Sequence, residues 1–145
     1  MSNSTTSDEK KPPSHLIADL PGERRELFMS FGLLKELAGL VGGPEAVPNL
    51  SFNPTLAEAC LTLVLAKRDK RGRIPEPGED EPPIIPVDLS PEAAEEILDW
   101  ASSHVLDFFV RRFAKSSRLF ATQAEQLAAV GSSLTSSANS AGKTA

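Results

Sequence analysis

A chain of 145 residues with one Cys, two His, 12 Pro and no Tyr has room for one ordinary domain. It has none for a disulfide framework, a Cys-based metal cluster or a His-rich site. A net charge of -5 argues against a general nucleic-acid coat, and no apolar run reaches the roughly 18 residues that span a bilayer.

Residues 1–13 (MSNSTTSDEKKPP) are polar and lack an apolar leader, so a non-secreted, soluble protein with a disordered N-terminal tail is expected. A single globular domain is expected over 14–125. A hairpin over 15–31 opens it: His15–Asp19 is apolar, Leu20-Pro21-Gly22-Glu23 suits a type II turn, and Arg24–Phe31 forms the second arm. In that arm Arg25, Leu27, Met29 and Phe31 alternate with Glu26, Phe28 and Ser30.

A helix over about 33–41 places Leu34, Leu37, Ala38 and Val41 on one face, and Gly42-Gly43-Pro44 stops it. Asn53-Pro54 opens the next helix, 54–68, with Thr55 to Glu58 reading as a capping box. It is apolar nearly all round and so belongs at the centre of the domain, with Lys67 and Arg68 suited to its negative end. Five Pro in residues 69–89 then forbid regular structure, and a loop that long is expected to be functional or mobile.

Ser90-Pro91 caps the last and longest helix, about 90–120. Ala94, Ile97, Leu98, Ala101, Val105, Phe108, Phe109, Ala114 and Leu119 recur at helical spacing. Acidic residues lead and basic ones follow, in keeping with the helix dipole. Ala121–Val130 continues or ends this helix, and residues 126–145 read as helix end and flexible Ser-rich tail. The expected fold is mostly α (α+β): a small N-terminal hairpin on about three helices, between disordered tails.

Little in this sequence carries chemistry. Gly142-Lys143-Thr144 ends like a P-loop, but Ser137 stands where the motif needs its first Gly. Cys60 lies among Leu and Val, where a thiol stays inert, and His104 reads as a packing or capping residue. Glu79, Asp80 and Glu81 form a solvated acidic loop. Lys67, Arg68, Lys70, Arg71 and Arg73 surround Asp69 beside it, and Arg111, Lys115 and Arg118 share a helix face. No catalytic, cofactor or metal residue is assigned.

The run from Glu26 to Gly43 (ELFMSFGLLKELAGLVGG) resembles the strand, glycine and helix opening of tail assembly chaperones from long-tailed bacteriophages. LAKRDKRGRI, the Pro-rich acidic loop, VDLSPEAAEEILDW and ASSHVLDFFVRRF extend the likeness over roughly residues 15–120. The resemblance implies a non-enzymatic factor in the host cytoplasm, left out of the mature virion. It would bind the tape measure protein and help tail tube protein polymerise around it. Many members exist in a second, frameshifted form, and a flexible tail suits such a junction.

A helical partner favours helix-in-groove recognition. Trp100, Phe108, Phe109 and Phe113, with Arg111 and Lys115, form the expected partner-binding stretch. At least two of these aromatics are expected to fill the core instead. The competing readings are a structural virion protein (a minor tail or head–tail connector subunit) and, behind it, a nucleic-acid-binding regulator. Self-association is left open.

Overall fold

The computed structural model describes residues 11–76 and 78–143, with side chains through residue 131. Residues 1–10, most of the expected N-terminal tail, lie outside them. The fold is α+β: an antiparallel hairpin of β1 (His15–Leu20) and β2 (Glu23–Phe28), then α1 (Phe31–Val41), α2 (Asn49–Phe52), α3 (Pro54–Leu65) and the long α4 (Pro91–Lys143).

The hairpin registers Leu16 with Leu27, Ala18 with Arg25 and Leu20 with Glu23, around a two-residue turn with Gly22 at φ 79°. Positive φ is free of steric cost only for glycine, which is why Pro-Gly closes this turn. Ala18, Leu20 and Leu27 face the core, while Ile17 and Phe28 on the other face are exposed. β2 ends at Phe28, not at residue 31. Ser30 leaves the strand as the α1 N-cap, its hydroxyl accepting from Leu33 N at 3.1 Å, and Phe31 starts the helix with its ring exposed.

α1 buries Leu33, Leu37 and Ala38, with Leu34 and Val41 half-buried, and stops at Gly42 (φ 79°), whose N–H returns to Ala38 O at 2.9 Å. The stretch after it is not a plain linker. A 3₁₀ turn (Pro44–Ala46) leads into α2, a single turn that buries Leu50 completely. Asn53 ends α2 and caps α3, its side-chain oxygen accepting from Thr55 N and Leu56 N at 2.9 and 3.2 Å. The cap is therefore Asn53 with Pro54 at the first helical position, as the sequence reads, two residues ahead of the Thr55 box.

α3 buries Cys60, Leu61, Val64 and Leu65 but ends at Leu65, three residues short of expectation. Ala66 is extended (ψ 136°), so Lys67 and Arg68 do not sit in the last turn. Arg68 instead pairs with Glu36 of α1 at 2.6 Å and donates to Leu63 O and Gly72 O at 3.2 and 3.1 Å. Those tertiary bonds override the good helix propensity of Ala-Lys-Arg. The last part of the Pro-rich loop packs against the core through Ile84, Ile85 and Leu89, while 78–83 are exposed.

One hydrophobic cluster joins the hairpin, α1, α2, α3 and the first part of α4, through Ile97, Leu98, Trp100, Ala101 and Val105. Pro13 and Ser14 are tied to it through their carbonyls, Ser14 O accepting from Met29 N at 2.9 Å. Trp100 Nε1–H donates to Pro13 O at 2.7 Å, and His104 Nε2 lies 2.7 Å from the same oxygen. A carbonyl can only accept, so the imidazole donates as well. The expectation of a free tail through residue 13 is thus corrected at its last residue.

The chain divides into two compact units, the first ending at Phe109 and the second starting at Val110. The expected domain boundary near 125 falls too late, because every side chain from Val110 to Gly131 is exposed. α4 also outlasts its expected end near residue 120, running to Lys143 through the segment read as a flexible tail. No Pro follows Pro91. Ser and Gly cost a growing helix only about 0.5–1 kcal/mol each, whereas each added residue gains a backbone bond.

Candidate partner-binding surfaces

The residues expected to meet a partner do not form one surface. Trp100 is a core residue, 5% exposed and committed to Pro13 O, with His104 edge-on to its indole at 5.3 Å between ring centroids. Phe108 and Phe109 pack half-buried against the core, their centroids 5.6 Å apart and their planes 67° apart. Phe113 is exposed, and so are Arg111 and Lys115; all three belong to the second unit. Of the four aromatics only Phe113 is free of the core of the first unit.

A better-formed surface lies within the first unit. The 3₁₀ turn and α2 on one side, and α4 from Glu95 to Leu106 on the other, enclose a groove of about 650 Å³. Val47 and Leu98 are buried in its floor, Phe52 and Leu106 stand exposed at its edges, and Glu95 and Asp99 give it an acidic rim. Phe52 is 82% exposed because α2 has a single turn: Leu50 takes the buried position, and a residue two further on points about 200° away. Ser102 Oγ lines the same groove, buried and with no hydrogen-bond partner. An unsatisfied buried hydroxyl costs about 1–3 kcal/mol, which an incoming polar group would recover.

A second hollow of about 680 Å³ lies between the hairpin turn and the Pro-rich loop, where Val87 is exposed. The basic cluster beside that loop is a built turn. Asp69 Oδ1 accepts from Arg71 N and Arg73 N at 2.8 and 3.0 Å, and Gly72 supplies positive φ at 78°. Asp69 and Arg68 are thus spent on the turn and on Glu36, which leaves Lys67, Lys70, Arg71 and Arg73 exposed.

Neither residue singled out for reactivity is placed to react. Burial pushes the Cys60 thiol up to about 12, so the nucleophilic thiolate is absent at neutral pH. His104 is held by Pro13 O. Among the described residues, no three His, Cys, Asp or Glu side chains gather to hold a metal, and no helix is long and apolar enough to cross a membrane. Gly142 and Lys143 lie on the backbone of α4, not on a loop that could cradle phosphate, and Thr144 lies outside the described residues.

Phe52 and its groove were missed from sequence because residues 44–52 read as a connection. A signal was there: a large aromatic immediately before a helix cap, two residues from another apolar side chain. No protein-family model matches this sequence, and no match was found to a curated protein or to a solved structure.

Proposed function

We propose that this chain is a non-enzymatic assembly chaperone of the tail assembly type that it resembles. In this reading it works in the host cytoplasm, holds helical segments of a tape measure protein in soluble form, and assists tail tube polymerisation. The observation that carries the proposal is the apolar groove of the first unit, with Phe52 exposed at its edge and the Ser102 hydroxyl unpartnered in its wall. A groove with an apolar floor and a rim of Glu95 and Asp99 suits an amphipathic helix whose apolar stripe is flanked by Lys or Arg. The order of elements from Glu26 to Phe113 supports the same class.

The test is co-expression with overlapping fragments of the tape measure protein, followed by pull-down at low and high salt. Retained binding in high salt, lost at least ~10-fold on Phe52→Glu and little changed on neutralising Arg111, Lys115 and Arg118, supports the proposal. Binding to no fragment, with the protein found in purified virions, favours a structural subunit. Steep loss of binding with salt would instead mark a nucleic-acid contact.

A further inference from the structure

The second unit poses its own question. From Val110 to Gly131 α4 is about 33 Å of helix with every side chain exposed, and a helix without tertiary cover is marginal in water. Its apolar residues leave the register of the core-facing Leu98, Ala101, Val105 and Phe108, which would continue at positions 112, 115 and 119. Phe113, Phe120 and Leu127 are spaced by seven, and so are Val110, Ser117, Ala124 and Gly131, in alternating steps of three and four. That is the spacing of a two-stranded supercoil seam, here carried by exposed side chains. Four of the six large apolar side chains exposed in this stretch lie on the seam; Val130 flanks it and only Leu119 lies outside.

We infer that a second copy of this chain covers the seam, antiparallel, about a two-fold axis beside residues 118–119. The choice of occupant rests on the sequence of the seam itself. One set of positions is large and the other small. Reversing the helix against itself sets Phe120 on Ser117, Phe113 on Ala124 and Leu127 on Val110, and the two-fold repeats each layer. Large meets small or branched in all six layers, the condition for dense packing.

A parallel, in-register pair would stack Phe113 on Phe113 and Phe120 on Phe120, with Ser117 and Ala124 layers left hollow between them. The flanks agree. Ala114 faces Ala121 along one edge and Ser116 faces Gln123 along the other, so no charge opposes its own copy beside the seam. Arg111, Arg112, Lys115, Arg118 and Glu125 all take the three outer positions. The reversed direction also sets each helix dipole against its opposite. This inference uses a different surface from the groove of the first unit and stands or falls apart from it.

The experiment uses the full chain. Light scattering with size exclusion is expected to give twice the 15.5 kDa chain mass, falling towards the monomer on dilution. Phe120→Glu should weaken self-association at least ~100-fold, while Leu119→Glu, one residue away and off the seam, should leave it unchanged. Trp100 fluorescence checks that the first unit remains folded in both variants. Direction is read by cross-linking, with the buried Cys60 left in place. Phe113→Cys and Ala124→Cys chains should form a disulfide when mixed, and neither should do so alone. Self-cross-linking of each variant alone would overturn the antiparallel pairing. A monomer at every concentration, or equal effects of the two Glu substitutions, would overturn the seam.

Discussion

The same helix carries two apolar faces, one covered and one exposed. Up to Phe109 most apolar residues of α4 turn to the protein's own core, with Ile97, Ala101 and Val105 fully buried. From Val110 to Gly131 they recur every seven residues and are all exposed. Helix formation alone therefore says little about stability; what differs is where the apolar side chains find partners. The first unit supplies its own, and the second must obtain them elsewhere.

The largest test of that contrast places one charge in each region. Leu65→Asp puts a carboxylate where the native side chain is 2% exposed, and should cost at least about 4 kcal/mol. Denaturant unfolding followed by Trp100 should then show a mostly unfolded first unit. Phe113→Asp should shift the same transition by no more than about 0.5 kcal/mol. Equal losses would mean that the two regions share one core.

The next test titrates the core. The Cys60 thiol is raised from 9.0 to about 12 in the native state. Between those values the unfolded chain has given up the proton and the native chain still holds it. Stability must therefore fall as pH rises above 9, by up to about 1.4 kcal/mol per pH unit. Unfolding free energies from urea titrations at pH 8 and 10.5 should differ by about 2 kcal/mol more in the native sequence than in Cys60→Ala. Parallel behaviour of the two would show that the thiol is not sealed in.

Smaller effects sharpen the edges of the first unit. Trp100→Phe removes the donor to Pro13 O and should cost about 1–2 kcal/mol in thermal or urea unfolding. Arg68→Ala should cost about 1 kcal/mol, because its pair with Glu36 is partly shielded and comes with two backbone carbonyls. Arg24→Ala, across the hairpin from Asp19 at 2.8 Å, should change stability by less than about 0.5 kcal/mol, since both side chains are mostly in solvent. If Arg24 mattered more than Arg68, shielding would not be what ranks these pairs.

Signals that act within a few residues were readable in the sequence. Pro21-Gly22, the Gly42 stop, the Asn53 cap and the Ser90-Pro91 start all lie where the residues put them, because each satisfies or removes backbone bonds locally. What failed depends on distant partners. α3 ends early because Arg68 is needed by Glu36, 32 positions back. Trp100 looked available for a partner because nothing local shows that Pro13, 87 residues away, accepts its N–H. That at least two of the four candidate aromatics fill the core was readable, but not which; Phe52 escaped because its exposure comes from the shortness of α2. The end of α4 was misjudged for a different reason: Ser-rich composition lowers helix propensity without forbidding a helix.

The bond between Pro13 and α4 also sets an order of events. Chain leaves the ribosome from its N-terminus, and the residues that close the first unit, Trp100 and His104, are among the last of that unit to be made. The hairpin, α1 and α3 can begin to associate earlier, but the carbonyl of Pro13 has no partner until some 90 further residues have emerged. Closing so long a loop slows folding and favours completion after synthesis. During that interval the apolar faces of α1 and α3 lack the Ile97 and Val105 cover, so the nascent protein is at its stickiest just before its own last helix arrives.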